Sequence, residues 1–307
     1  MRRKIVTSYI NPDMDGTASM YAYVEFLRKR GEEAGYYFEG IPKKEVRIVS
    51  ELFNIKLEKT HAIHDNDKFV LVDTNDVVEL PKCVIKENVV EIIDHHKKRE
   101  WLTWNEKVNI QIELIGSAAT LIAEKFKNEN IEISKEAAIL LYYGIISNTM
   151  NLKIKMTSKK DIEMAEWLKG KVPEINDKIT EEIFIKKSEI GDALREEMEV
   201  ELKDQFVTIS WSMGQLEIAN VESFLEKYER DIRNILHTVK IENDVEYISV
   251  NCMDILNGYS IVLAYDEKTA KIISEVNNLN FDGLKAKTDE LISRKELVQV
   301  VREKFKK

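Results

Sequence analysis

The chain has 307 residues, of which 44% are hydrophobic and 33% charged, so it can bury a sizeable core and is not intrinsically disordered over most of its length. Lys and Arg number 46 and Asp and Glu 55, and the net charge of −9 argues against a dedicated polynucleotide-binding protein. The 2 cysteines are too few for a disulfide framework, which predicts a reducing, cytoplasmic location. No stretch approaches the roughly 18 apolar residues of a membrane span.

Strand-like and helix-like segments alternate along the first half of the sequence. Short apolar runs predict strands over residues 4–10, 35–38, 69–72 and 88–93. Helical periodicity predicts helices over residues 16–30, 43–53, 117–127, 134–146 and 158–169. The last helix opens with Ser158 and has Asp161 three residues later, close to a capping box. This alternation favours an α/β fold with a mostly parallel sheet.

The second half has a different character. Charge density rises between about residues 172 and 200, and we predict one solvated helix over 181–202 that joins two domains. Beyond it, the sequence predicts strands over 206–211, 246–252 and 259–264 and helices over 221–236, 268–276 and 294–305. We therefore expect a catalytic domain over residues 1–185 and a smaller α/β domain over residues 190–307.

Three predicted strands end in turns that are rich in carboxylates or histidine. The turns are Asn11-Pro12-Asp13-Met14-Asp15-Gly16, Asp73-Thr74-Asn75-Asp76 and Asp94-His95-His96. Ligands of open α/β sheets bind beyond the carboxyl ends of the strands, so the turns are expected to share one site. Their carboxylates would repel each other unless cations lie among them. Oxygen ligands with an imidazole suit Mg²⁺ or Mn²⁺, and two such ions can clamp a phosphoryl group and activate water.

These residues resemble the DHH phosphoesterase superfamily, whose namesake motif is Asp94-His95-His96 here. The pattern is most similar to the manganese-dependent (family II) inorganic pyrophosphatases, followed by the exopolyphosphatases. Their first motif reads His-x-Asn-Pro-Asp-x-Asp, and residues 9–15 match it after the first position. The remaining matches, of which the last two resemble a DHHA2-type domain, are Asp73-Thr74-Asn75, Gly116-Ser117, Ser147-Asn148-Thr149, Asp254-Ile255-Leu256 and Ser293-Arg294-Lys295.

The resemblance implies an active site in the cleft between the two domains. The metal ligands that it implies are Asp13, Asp15, Asp73, His95 and Asn148. The residues implied to contact substrate phosphate are His96, Arg294 and Lys295. The catalytic residues that it implies are Asp13, Asp73, Asp94 and His96, with Asp13 or a water that it holds as general base and Asp94 orienting the site. The implied cofactors are Mn²⁺ or Mg²⁺, with Co²⁺ as a further option, and one or two ions per site.

Two positions depart from the family pattern. Tyr9 replaces the first-motif histidine, and Asn148 replaces an aspartate. A neutral phenol is a weaker ligand than imidazole, and an amide oxygen brings no charge. The three retained aspartates supply three negative charges against the four positive charges of two divalent ions. Oxygen-preferring Mg²⁺ therefore becomes relatively more favourable than a transition-metal ion.

The resemblance implies hydrolysis of phosphoanhydride bonds in pyrophosphate or short polyphosphate by a metal-activated water. Two alternatives stay open. One is a DHH phosphodiesterase or phosphatase that acts on a small nucleotide. The other is a degenerate homologue that binds phosphate without turnover because Tyr9 and Asn148 replace metal ligands. The expected partner is a small phosphate compound, with neither nucleic acid nor membrane, and the resemblance implies a homodimer.

Overall fold

The computed structural model describes residues 2–60, 62–98, 103–202 and 210–305. The chain divides into two compact units, Met1–Ile183 and Phe184–Lys307. Each unit contains helices and one five-stranded sheet, which is wholly parallel in the first unit and mixed in the second. This architecture confirms the predicted α/β class. In the described part of the chain, no helix is both long and apolar enough to cross a membrane.

Five parallel strands form the sheet of the first unit. They are β1 (Lys4–Thr7), β2 (Ala34–Tyr37), β3 (Lys68–Val72), β4 (Val89–Asp94) and β5 (Asn109–Ile112). Their order is β2-β1-β3-β4-β5, so the apolar runs β1, β3 and β4 occupy the centre, as expected for buried parallel strands. The sequence does not predict β5, because this edge strand carries the polar residues Asn109 and Gln111 and lacks a continuous apolar run.

The predicted helices of the first unit are present. They are α1 (Met14–Lys29), α2 (Lys44–Leu52), α3 (Ala118–Asn128), α4 (Lys135–Asn148) and α5 (Lys159–Lys171), and α6 (Asp177–Ser188) follows them. Serine side chains accept backbone N–H hydrogen bonds at the starts of three of these helices: Ser117 for α3, Ser134 for α4 and Ser158 for α5. Ser158 and Asp161 form the predicted capping box.

The prediction of one solvated helix over residues 181–202 is wrong. The structure has α6, then a short 3-10 turn over Gly191–Ala193, and then α7 (Leu194–Glu201). Gly191 has φ +58, a left-handed conformation that glycine adopts readily and that interrupts the helix. Leu194 and Met198 are buried in the hydrophobic core of the second unit, so α7 is a packed element despite its many charges.

The second unit is built on a mixed sheet. Its strands are β6 (Trp211–Ile218), β7 (Tyr247–Asp254), β8 (Tyr259–Ala264), β9 (Phe281–Asp282) and β10 (Lys285–Lys287), in the order β6-β7-β8-β10-β9. Its further helices are α8 (Val221–Glu242), α9 (Glu267–Asn277) and α10 (Arg294–Phe305). The predicted strand 206–211 lies outside the described residues except for its end, where β6 begins. The sequence does not predict β9 and β10, which are only 2 and 3 residues long.

Candidate metal centre

The acidic turns of the first unit come together because they follow three neighbouring strands. β1, β3 and β4 are paired side by side and parallel, so their carboxyl ends lie at the same edge of the sheet. After β1, Asp13 caps the start of α1 by accepting a hydrogen bond from the Gly16 N–H at 3.0 Å. Gly16 packs closely against Ser8 and against the turn that follows β3. A Cβ atom at Gly16 would lie 2.7 Å from Ser8 Oγ and 3.3 Å from Asp73 Oδ2.

Asp73, His95 and Asp15 form the buried centre of this cluster. Asp73 Oδ1 lies 3.2 Å from His95 Nε2, and Asp15 Oδ2 lies 3.7 Å from the same nitrogen. Asp73, Asp94, His95 and His96 each offer a potential ligand atom, and these four atoms lie within 4.8 Å of one another. The main chain of Asp73 adopts a left-handed conformation with φ +57, which is uncommon outside glycine and marks a constrained position.

Asp94 orients His95 and His96 through hydrogen bonds. Its Oδ1 accepts hydrogen bonds from the N–H groups of His95 at 2.7 Å and His96 at 3.1 Å, and it lies 3.0 Å from His96 Nδ1. Asn75 Nδ2 donates to the other carboxylate oxygen. Burial alone would raise the pKa of Asp94, but the hydrogen bonds from His96 and Asn75 lower it. Asp94 is therefore an ionised residue that orients its neighbours.

The His95 ring has a defined orientation. Its Nδ1 lies 3.0 Å from the carbonyl oxygen of Ile115, and a carbonyl can only accept, so Nδ1 carries a proton. Its Nε2 faces the carboxylates. Burial disfavours the imidazolium, but the close approach of the Asp73 carboxylate and the charges of Asp73 and Asp15 outweigh it and raise the pKa of His95 to about 10. A cation at Nε2 would take the place of this second proton.

Asp15 is held by the first turn of α3. Its Oδ1 accepts from the Ala119 N–H at 2.7 Å, and its Oδ2 accepts from the Ala118 N–H at 2.8 Å. A helix N-terminus favours negative charge, and these two amides fix both carboxylate oxygens. Burial nevertheless raises the pKa of Asp15 to about 6, with the charge of His95 lowering it and that of Asp13 raising it further.

The two positions that depart from the family pattern both bring neutral groups to the cluster. Asn148 Nδ2 donates to Gly116 O at 2.9 Å and to Asp15 Oδ2 at 3.2 Å, so its amide oxygen faces away from them. The Tyr9 hydroxyl accepts from the Asp13 N–H at 3.3 Å. Burial, together with the charges of Asp13 and Asp73, raises the pKa of the Tyr9 phenol, which stays neutral.

The donor set fits a divalent cation. Asp73 Oδ1 is buried and receives no well-directed hydrogen bond from the described residues, although His95 Nε2 is 3.2 Å away. Burial, with the charges of Asp15 and Asp13, raises the pKa of Asp73, so the folded chain disfavours its ionised form. A cation between these oxygen and nitrogen atoms would satisfy the orphaned oxygen and reduce the repulsion.

The predicted phosphate-binding residues of the second unit are neighbours at the start of α10. Arg294 Nη1 donates to the carbonyl oxygen of Glu201 at 2.8 Å and to its Oε2 at 2.9 Å. The Arg294 N–H donates to Gln215 Oε1 at 2.7 Å. Lys295 is exposed. Arg294 is therefore tied into its own unit, whereas Lys295 presents its charge to solvent.

Sequence reasoning missed the groups that orient the predicted ligands. The Ile115 carbonyl and the Ala118 and Ala119 amides belong to the main chain, so no side-chain pattern marks them. The Gly116-Ser117 motif match is the one signal in the sequence that points to this segment. Asn75 belongs to the second acidic motif, which assigns it no role, and the structure places its amide against Asp94.

Comparisons with known proteins show which family and which proteins this chain is similar to. Residues 3–145 match the DHH family, N-terminal domain, which confirms the resemblance that the sequence shows. The chain is also 27% identical over 285 residues to a Streptococcus thermophilus protein named probable manganese-dependent inorganic pyrophosphatase, with 90% of each covered. A Deinococcus radiodurans protein of the same name is 24% identical over 311 residues, with 98% of each covered.

Solved structures extend the likeness to both units. The crystal structure of a candidate family II inorganic pyrophosphatase from Methanococcus jannaschii matches with a TM-score of 0.72 and 25% identity, covering 99% of this chain and 100% of that one. An exopolyphosphatase-related protein from Bacteroides fragilis matches with a TM-score of 0.51 and 16% identity, covering 99% of this chain and 92% of that one, which shows a shared fold alone.

Proposed function

We propose that the chain is a metal-dependent phosphohydrolase that cleaves the phosphoanhydride bond of pyrophosphate or short polyphosphate. The observation that carries this proposal is the buried pair of Asp73 Oδ1 and His95 Nε2, 3.2 Å apart at the carboxyl edge of a parallel sheet. The full-length likeness to proteins named manganese-dependent inorganic pyrophosphatases supports this substrate class. Manganese is accordingly the first cation to test, with Mg²⁺ and Co²⁺ as alternatives.

The residues have distinct tasks under this proposal. Asp13, Asp15, Asp73 and His95 would hold the ions, with Asn148 close to Asp15 and His95. When bound, divalent ions lower the pKa of water and neutralise phosphate oxygens. Asp13, half-buried at the start of α1, is the proposed general base. The His96 ring is 46% exposed and anchored to Asp94, so it can contact a substrate phosphate while keeping a fixed orientation.

Substrate contact also involves the second unit in this proposal. Lys295 is exposed and offers a mobile ammonium group to a phosphate oxygen. Arg294 has a planar guanidinium suited to phosphate, but its Nη1 donates to Glu201, so it would have to exchange this contact or bind through its other nitrogens. The proposal retains both residues, together with a homodimeric assembly and a cytoplasmic location.

A second candidate is a homologue that binds phosphate compounds without turnover. The observation in its favour is that Asn148 directs its amide N–H groups, and not an oxygen, at Asp15 and Gly116. The neutral Tyr9 phenol likewise brings no negative charge to Asp13. Because Tyr9 and Asn148 are both neutral, they weaken the attraction of the site for a cation, which favours this alternative.

Phosphate release from pyrophosphate, tripolyphosphate and a nucleotide panel, measured with Mn²⁺, Mg²⁺ or Co²⁺, tests the proposal. We expect metal-dependent release that is fastest with pyrophosphate or tripolyphosphate and that disappears with chelator. Phosphate release from nucleotides alone would show that the substrate is a nucleotide and not pyrophosphate or polyphosphate. Pyrophosphate binding by calorimetry without release under any metal would establish the non-catalytic alternative.

A further inference from the structure

Asp161, on the first turn of α5, makes contacts that its helix does not require. Its carboxylate is fully buried, and its Oδ2 accepts from the Ser158 N–H at 2.7 Å, which completes the capping box. The same Oδ2 also accepts from the Gly116 N–H at 2.9 Å, and Oδ1 accepts from Thr120 Oγ1 at 2.5 Å. These two contacts join α5 to the beginning of α3, which capping alone does not explain.

The segment that Asp161 holds, residues 115–120, touches the metal centre with its other groups. The Ile115 carbonyl fixes His95 Nδ1, and the Gly116 carbonyl accepts from Asn148 Nδ2. The N–H groups of residues 118 and 119 bind both oxygens of Asp15. Three of the implied ligands therefore take their orientation from one short piece of main chain.

The packing leaves this segment little freedom. A Cβ atom at Gly116 would lie 2.4 Å from Thr149 Cγ2 and 2.8 Å from Asp161 Oδ2, so the main chain sits directly against both side chains. A buried carboxylate is tolerated when hydrogen bonds satisfy it. The groups that donate hydrogen bonds to Asp161 come both from Ser158, the N-cap of α5, and from the 115–120 segment. Loss of the carboxylate would leave the Gly116 N–H and the Thr120 hydroxyl without this acceptor.

We propose that Asp161 is a positioning residue of the metal centre, which it serves by fixing the 115–120 segment that orients His95, Asn148 and Asp15. The inference rests on the proposed function for the presence of the metal. Hydrogen-bonded partners behind metal ligands typically change metal affinity by about 10- to 100-fold when they are removed. Asp161 acts one step further away, through main-chain groups, so its effect is expected near the lower end of that range.

The test is the Mn²⁺ dissociation constant, measured by the electron paramagnetic resonance signal of free Mn²⁺. We expect Asp161→Asn to raise this constant about tenfold and Thr120→Val to raise it about threefold. Saturating Mn²⁺ should restore most of the pyrophosphatase kcat of both variants, while the KM for pyrophosphate stays near that of the wild type. Damage to the substrate site would instead raise the KM for pyrophosphate, so weaker Mn²⁺ binding with an unchanged KM identifies an effect on the metal ligands.

Ser134→Ala is the matched control. Ser134 caps α4 in the same unit, and Asn148 lies at the other end of this 14-residue helix, about 20 Å away at 1.5 Å per residue. The control loses a helix cap without touching the 115–120 segment, so its Mn²⁺ constant should stay within about twofold of the wild type. An equal rise in the control would attribute the effect to general destabilisation and would overturn the proposal.

The outcomes separate the two proposals. Wild-type protein that binds no Mn²⁺ and releases no phosphate with Mg²⁺ or Co²⁺ would contradict the proposed function and, with it, the premise of this inference. Wild-type protein that binds Mn²⁺ while Asp161→Asn binds equally well would overturn the role of Asp161 alone. If Asp161→Asn does not fold, Thr120→Val decides: an unchanged constant overturns the proposal, and a raised constant supports it.

Discussion

The carboxyl edge of the first sheet and the start of α10 in the second unit hold their predicted functional side chains in different ways. At the sheet edge, Asp15 and Asp94 are buried and receive hydrogen bonds from main-chain amides. At the start of α10, Lys295 is exposed and Arg294 is tied to Glu201. The predicted metal ligands are therefore held by main-chain groups, and Arg294 is held by Glu201, whereas the exposed Lys295 can adjust.

The largest effect is expected at Asp73. Because burial and the neighbouring carboxylates raise its pKa, the ionised side chain is unfavourable without a cation. Asp73→Asn should therefore keep or raise the Tm in chelator. It should also abolish the Tm increase caused by Mn²⁺, which in the wild type reflects a stabilisation of about 2.7 kcal/mol at 100 times the Kd. Thermal unfolding with chelator and with Mn²⁺ measures both effects.

Asp65→Asn serves as the control for that experiment. Asp65 is an exposed carboxylate of the same unit, and its variant should keep the full Mn²⁺-induced shift. A Mn²⁺ shift that survives in Asp73→Asn would mean that the cation binds elsewhere.

Restoring the family pattern at the two departures should give the next largest effect. The double variant Tyr9→His with Asn148→Asp adds an imidazole beside Asp13 and a charge beside Asp15. We expect it to lower the Mn²⁺ dissociation constant at least about tenfold, and an equilibrium titration measures this. Unchanged affinity would show that the neutral side chains do not limit metal binding.

Gly16 allows α1 to approach Asp73, and Gly16→Ala should reduce kcat/KM about tenfold because its methyl group would lie 2.7 Å from Ser8 Oγ. The double variant Ser8→Ala with Gly16→Ala removes that contact and should recover part of the loss. Steady-state kinetics of the two variants beside Ser8→Ala checks the coupling. Wild-type kinetics in Gly16→Ala would contradict the close approach.

The smallest effect is expected at the exposed Lys295. Lys295→Ala should raise the KM for pyrophosphate about threefold to tenfold, with a larger effect at low salt, because an exposed ammonium is screened by ions. Lys271→Ala, which removes an exposed charge from α9, is the control and should leave KM unchanged. Equal effects of the two variants would indicate a general field of charge instead of a specific contact.

The features that could be predicted from the sequence are those marked by a pattern of side chains. Apolar runs followed by Asp13, Asp73 and Asp94 indicated both the central strands and the edge where the turns meet. The edge strand β5 was missed because its polar residues Asn109 and Gln111 alternate with isoleucines and leave no apolar run. The helix predicted over 181–202 was wrong because charge density outweighed the apolar spacing of Leu194 and Met198.

The orientation of the site could not be predicted in the same way. The groups that fix His95 and Asp15 are a carbonyl and two amides, which every residue possesses. Asp161 was predicted correctly as part of a capping box, and that role concealed its contacts with Gly116 and Thr120, which lie at least 41 positions away in the chain. Such long-range contacts follow from how the helices pack, which no local pattern records.

Under the proposed function, Asp73 and its neighbours hold a cation that activates water for phosphoanhydride hydrolysis. The most direct measurement is the rate of phosphate release from pyrophosphate as Mn²⁺ is titrated into the wild type and Asp73→Asn. We expect a saturable, Mn²⁺-dependent rate in the wild type and a loss of at least about 1,000-fold in the variant. Equal rates in the two proteins, or release that does not depend on any divalent ion, would contradict this expectation.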